Sequence, residues 1–246
     1  MLRFPCAAVL ALGFVASGRL LMAQDAPIHA PDGGTREHVE SIMIPSIPNA
    51  PFRAVVTTEL TKILPDGSTQ TNKNHRTVAR DSSGRVFQER RAFTPDGDKQ
   101  VTPLLETDYQ DPNRHELFIC RPQTHICMAY PYSMPAAVVQ EAPLPKGVGT
   151  VTHESLGQKM VDGLELTGTR EITTINAGVI GNQKAEPIVK EFWYSPRLGI
   201  NVITKRFDPR VSAAQDFEVG SVNLSEPDPK LFELPSDYKV FKMEQQ

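Results

Sequence analysis

Hydrophobic and polar residues alternate along most of this chain from residue 51 onward. In PFRAVVTTELTKIL, Phe52, Ala54, Val56, Thr58 and Leu60 fall on one side, with Arg53, Thr57, Glu59 and Thr61 on the other. A period of two marks a strand with one buried face. PDGS then turns the chain, and the same grammar repeats: TQTNKNHRTVAR, the turn DSSG, RVFQERRAF, TPDGD, VTPLLETDY, QDPNR, HELFIC, RPQT and HICMAYPY. After a break come THESLGQKMV, the turn DG, LELTGTREITTI, a loop, IVKEFWY, SPRLG, INVITKRF, DPRVS and QDFEVGSVNL. Turn residues about every ten positions between β-branched and aromatic runs predict an antiparallel meander of about ten or eleven strands. Proline presets φ in these turns and glycine supplies positive φ.

Three segments depart from that rhythm. Residues 24–50, rich in Pro, Gly and Asp, read as mostly extended or flexible, although TREHVESIMI offers two helical turns with Val39, Ile42 and Met43 on one face. Residues 133–150, SMPAAVVQEAPLPKGVGT, carry three prolines and form a long loop, a covering or a plain crossover. Near the end, Asp228 is placed to cap one helical turn holding Leu231 and Phe232, which Pro235 stops. The β domain thus spans 51–246. Within it EFWYSPRLGINVITKRF reads as a hairpin, with Trp193 packing on a sheet face.

The first residues change the picture of where the chain resides. MLRFPCAAVLALGFVASGRLLMAQ has an early Arg3, an apolar run from Phe4 to Ala16 and small residues ending at Ala23. That order predicts a signal peptide over residues 1–23. The run falls short of the roughly 20 apolar residues a membrane helix needs, and no later stretch approaches that length. The expectation is a soluble exported protein, periplasmic or extracellular, with no transmembrane span after cleavage. Losing Arg3 and Arg19 leaves 24 basic against 29 acidic residues, a formal charge of −5. No basic stripe is present, so nucleic acid is not an expected partner.

Two cysteines remain beyond residue 23, Cys120 and Cys127 in LFICRPQTHICMAY. Folding back at Gln123-Thr124 sets them opposite one another, and outside the cytoplasm such a pair favours a disulfide over free thiols. A metal site with His115 and His125 is the remaining alternative, but C-x₆-C lacks the usual zinc spacing. The six histidines show no ligand pattern and no metal or other cofactor is expected.

Catalytic motifs are not evident. HESLG places Ser155 before Gly157 but has His153 where a nucleophile elbow has glycine, and HELFI and HESLG lack the second histidine of a zincin. Glu106, Asp108 and Asp111 in LETDYQD could pair as acid and base, yet read more simply as solvated turn acids. The chain is therefore expected not to be an enzyme.

FWYSPRLGINVITKRFDPR, SEPDPKLFELPSDYKV, LGQKMVDGLELTGTRE and DSSGRVFQERR closely resemble a family of uncharacterised exported bacterial proteins, over roughly residues 50–240. More distantly, the meander ending in PDPKLFELP resembles the LolA/LolB-like outer-membrane lipoprotein carrier superfamily. That resemblance implies a single curved antiparallel sheet, a half-barrel with few short helices, whose apolar concavity binds acyl chains or lipid-like ligands. The expected lining residues, apolar members of the alternating runs, are Phe52, Val56, Phe118, Met128, Tyr130, Leu166 and Trp193. The leading expectation is non-enzymatic binding of a lipid-like or other apolar ligand. The alternatives are an envelope interaction or sensor protein that binds another protein, and a hydrolase without a recognisable motif.

Overall fold

The computed structural model of the protein describes residues 29–30, 42–95, 97–99, 101–133 and 144–242. The alternating runs become β1 (Phe52–Ile63), β2 (Thr69–Arg80), β3 (Val86–Arg91), β4 (Leu104–Asp111), β5 (Glu116–Arg121), β6 (Ile126–Pro131), β7 (Gly149–Val161), β8 (Leu164–Ile175), β9 (Glu186–Ser195), β10 (Ile200–Asp208) and β11 (Ala213–Asn223). A 3-10 turn at Pro229–Phe232 precedes β12 (Lys239–Lys242). The strands form one curved sheet, not closed into a barrel, in the order β12-β6-β5-β4-β3-β2-β1-β11-β10-β9-β8-β7. The alternation does not anticipate β12, which is four residues long and pairs in parallel with β6. A parallel partner needs no hairpin turn, so no turn signal announces it.

Along β1 the alternation is carried into burial. Phe52, Ala54, Val56 and Thr58 are at most 1% exposed. The register sets them against Arg80, Val78, Arg76 and Asn74 of β2, and sets Val56 and Thr58 against Val219 and Phe217 of β11. Ile42 and Ile44 pack onto the same cluster with Leu198, Ile200 and Val202. Residues from Ile42 to Ile47 form neither helix nor strand, so the expected helical face does not continue through Ile42 and Met43; the rest of TREHVESIMI lies outside the described residues. The reason is burial: Ile42, Ile44 and Ser46 insert at every second position, a spacing that a helix does not provide. The expected signal peptide and most of loop 133–150 also lie outside the described residues.

Four hairpins share one loop chemistry. Asp111–Glu116, Arg121–Ile126, Ser195–Ile200 and Asp208–Ala213 are paired ends, each with proline next and a left-handed residue last: His115 (φ 54°), His125 (φ 53°), Gly199 (φ 66°) and Ser212 (φ 48°). A left-handed backbone costs a non-glycine residue about 1–2 kcal/mol, partly offset by the entropy glycine would lose. His115 is exposed, and its carbonyl accepts from Tyr132 N, a bond any residue keeps. His115→Gly is therefore expected to raise stability by about 0.5–1 kcal/mol in urea unfolding.

Cys120 and Cys127 are directly opposed across β5 and β6 and form a disulfide, with Cα atoms 4.0 Å apart. Together with Phe118 and Ala129 they make a second core cluster, on which Tyr109, Leu234 and Tyr238 rest.

Candidate functional site

The C-terminal segment builds the candidate site by lying across the sheet from β3 to β6. Asp228 caps the 3-10 turn as expected, its carboxylate accepting from Lys230 N at 3.0 Å. Pro235 O then accepts from Tyr238 N, and His125 O accepts from Lys239 N at 2.9 Å, which starts β12. The Tyr238 ring stacks on His125 with centroids 4.8 Å apart, and Asp237 sits 3.1 Å from the same imidazole. At the other end the Arg85 guanidinium lies 5.0 Å over Phe232 and is held by Asp81 at 2.6 Å.

Between these anchors the segment leaves a cleft of about 490 Å³. Val86, Tyr109, Phe118, Phe232, Leu234 and Val240 supply its apolar lining. Arg85, Arg114, Lys242, Asp111, Glu116 and Glu233 supply its polar lining. Glu116 takes Arg114 at 3.0 Å and Lys242 at 3.3 Å, so the rim charges are largely satisfied by one another. Burial pushes the Tyr109 hydroxyl above its ordinary pKa, which keeps it neutral and a hydrogen-bond donor at any physiological pH.

Of the expected lining residues, only Phe118 reaches this cleft. Phe52, Val56 and Leu166 have no exposure and belong to the main core. Trp193 packs against that core with the Lys159 ammonium 3.8 Å over its ring, and Gly168 leaves no space for a Cβ beneath it. Met128 and Tyr130 are half-buried and pair with Ile119 and Leu117, whereas Phe118 pairs with Ala129. They therefore stand on the face of the sheet opposite Phe118. The alternating runs do not indicate Val86, Tyr109, Phe232, Leu234 and Val240 as one set. Their signal is the apolar spacing in LFELPSDYKVF, which has no partner until the segment folds back.

Charged side chains also enter the sheet interior. Asp108 is 6% exposed and pairs with Arg90 at 2.9 Å, so it is not a solvated turn acid. Burial raises its pKa against the pull of Arg90. Arg76, buried beside it, is pushed down to about 9, first by desolvation and then by Arg90. Glu106 instead meets Arg121 at 2.8 Å, and Asp111 caps the turn amides of Asn113 and Arg114. On β7, His153 faces the buried Glu171 at 3.4 Å, while the Ser155 hydroxyl accepts from Gly157 N. That is strand-edge and bulge chemistry, not a serine aimed at a base.

No family model and no curated protein matches the chain. Among solved structures, an uncharacterized conserved protein from Thermus thermophilus is similar over 79% of this chain and 91% of its own, with 12% identity and a TM-score of 0.43. The Pseudomonas aeruginosa MucA/MucB complex is similar over 78% of this chain at 11% identity and a TM-score of 0.36; the match spans 59% of the chain in that complex. A LolA superfamily protein from Nitrosomonas europaea is similar over 76% of this chain and 91% of its own, with 10% identity and a TM-score of 0.29. Among the described residues no helix is long and apolar enough to cross a membrane.

Proposed function

We propose that the chain is an exported, non-enzymatic binding protein that holds an apolar or amphipathic molecule, such as a lipid acyl chain, in the cleft under its C-terminal segment. The observation that carries this reading is the cleft itself. Its volume of about 490 Å³ falls in the range of small-molecule sites, roughly 300–1,000 Å³, and such sites combine apolar walls with a few placed polar groups. The cleft differs from the site the sequence suggests, because the main apolar face is filled by the protein's own Ile42 and Ile44. Export rests on the leader-like first 23 residues.

A fluorescent fatty acid titrated into the purified protein tests the proposal. Val240, 45% exposed at the cleft wall, accepts a larger side chain without disturbing the core. Val240→Trp is expected to weaken binding at least tenfold, about 1.4 kcal/mol, with an unchanged thermal midpoint. Equal binding by the two proteins, or none by either, would remove the cleft as the site.

A further inference from the structure

A second binding feature lies on the other half of the sheet, where β9 and β10 meet the start of the described chain. The Asn201 carboxamide donates from Nδ2 to Ala30 O at 2.9 Å and accepts at Oδ1 from Ala30 N at 3.0 Å. Asn201 is 4% exposed and Ala30 6%. The neighbouring His29 imidazole lies nearly parallel on Phe192, 13° apart in plane and 4.0 Å between centroids. One side-chain amide therefore reads both polar groups of a single peptide residue, as a neighbouring strand would. The pairing is to backbone, so it fixes an extended conformation at residue 30 without fixing the side chain. Side-chain selection comes from space and stacking: burial of Ala30 admits only a small residue, and Phe192 selects a flat ring one position before it.

We infer that Asn201 and Phe192 form a recognition site for an extended polypeptide segment of another protein, carrying a ring followed by a small residue, and that His29-Ala30 occupy it in cis. The motive for an exchangeable occupant is the arithmetic of tethering. A segment joined to its own site has an effective concentration in the millimolar range, so it holds the site through weak contacts and yields to a partner that adds further ones. The two buried amide hydrogen bonds, to Ala30 N and Ala30 O, give an anchor of that modest strength. This site is separate from the C-terminal cleft and stands or falls without it.

The test uses the full mature chain and a labelled synthetic peptide of residues 24–36. Ala30→Arg expels the tethered occupant, because a charged side chain does not fit a position 6% exposed. The variant is expected to bind the peptide at least tenfold more tightly than the wild type, whose own segment competes. The same peptide carrying Ala30→Leu, or lacking the ring through His29→Ala, is expected to lose at least tenfold. Should the variant fold poorly, hydrogen exchange of the Ala30 amide in the wild type is read with and without millimolar peptide. Protection that falls as peptide is added supports exchange of occupants. Unchanged protection, or peptide binding that ignores both substitutions, overturns the assignment. A wild-type dimer that dissociates as peptide is added would give the site to a second copy and also overturn it.

Discussion

Arg80→Leu is expected to lower the unfolding free energy by about 3–5 kcal/mol, the largest effect of any single substitution at a charged position of this sheet. The Arg80 side chain is wholly buried. Its Nε donates to Ala50 O at 2.9 Å, Nη1 to Pro45 O at 2.8 Å and Nη2 to Leu198 O at 2.8 Å, with the guanidinium 5.1 Å over Phe52. Leucine would remove the Arg80 donors from three carbonyls, of which Pro45 O keeps the Ile47 amide, and an orphaned buried acceptor costs about 1–3 kcal/mol. Lysine is expected to recover only part of the loss, since an ammonium lacks the planar fork that serves three diverging acceptors. Burial pushes the Arg80 pKa down to about 10, well below the ordinary arginine range. Folding therefore disfavours the protonated form, and that penalty is fully present below pH 10 and relieved as pH rises from there toward the ordinary arginine pKa. Between about pH 6 and 9 the difference between wild type and Arg80→Leu should be flat. Urea unfolding at those two pH values is the measurement, and a loss below about 1 kcal/mol or a slope across that range would contradict the account.

Removing the disulfide is the second large effect. Cys120→Ala together with Cys127→Ala is expected to cost about 2–3 kcal/mol, the loop-closure entropy of a short cross-linked hairpin. The loss should extend to the cleft, because Leu234 and Tyr238 rest on the same cluster as the two sulfurs. A thermal midpoint that falls on adding dithiothreitol to the wild type, but not to the double variant, isolates the bond from the packing. Fatty-acid binding by the double variant should weaken in parallel. A midpoint indifferent to reductant would mean that the cysteines are not paired in the purified protein.

The strand pattern was largely readable because alternation and turn chemistry agree along β1 to β11. Phe52, Ala54, Val56 and Thr58 face inward as their period requires, the Cys120–Cys127 opposition follows from turning at Gln123-Thr124, and the Asp228 cap follows from a single side chain. The candidate site was less readable, for two separate reasons. Face assignment on β5 and β6 depends on register: once Cys120 opposes Cys127, Phe118 must oppose Ala129, which places Met128 and Tyr130 on the far side. That constraint is already contained in the cysteine pair. The cleft walls are different, since Phe232, Leu234 and Val240 meet Val86 and Tyr109 only after the C-terminal segment crosses the sheet. Buried charges depend on distant partners in the same way. Asn74, Arg76 and Arg80 on β2 are buried, and the carbonyl that accepts from Arg80 at Leu198 lies on the β9–β10 turn. Local patterning carries no information about so distant a carbonyl.

The strand order also governs how the molecule can assemble. β1 to β6 form one meander and β7 to β11 another, each built from chain neighbours, and the two join along β1 and β11, where Lys62 meets Ala213. Hairpins within a meander close short loops quickly, whereas that seam must bring together distant parts of the chain, which makes it a slow, late event. The parallel β12–β6 pair fastens the tail of the second meander onto the first. Until the seam forms, β1 and β11, interior strands of the completed sheet, are the bare margins of the incomplete one, and nascent chains are most prone to misassociate there.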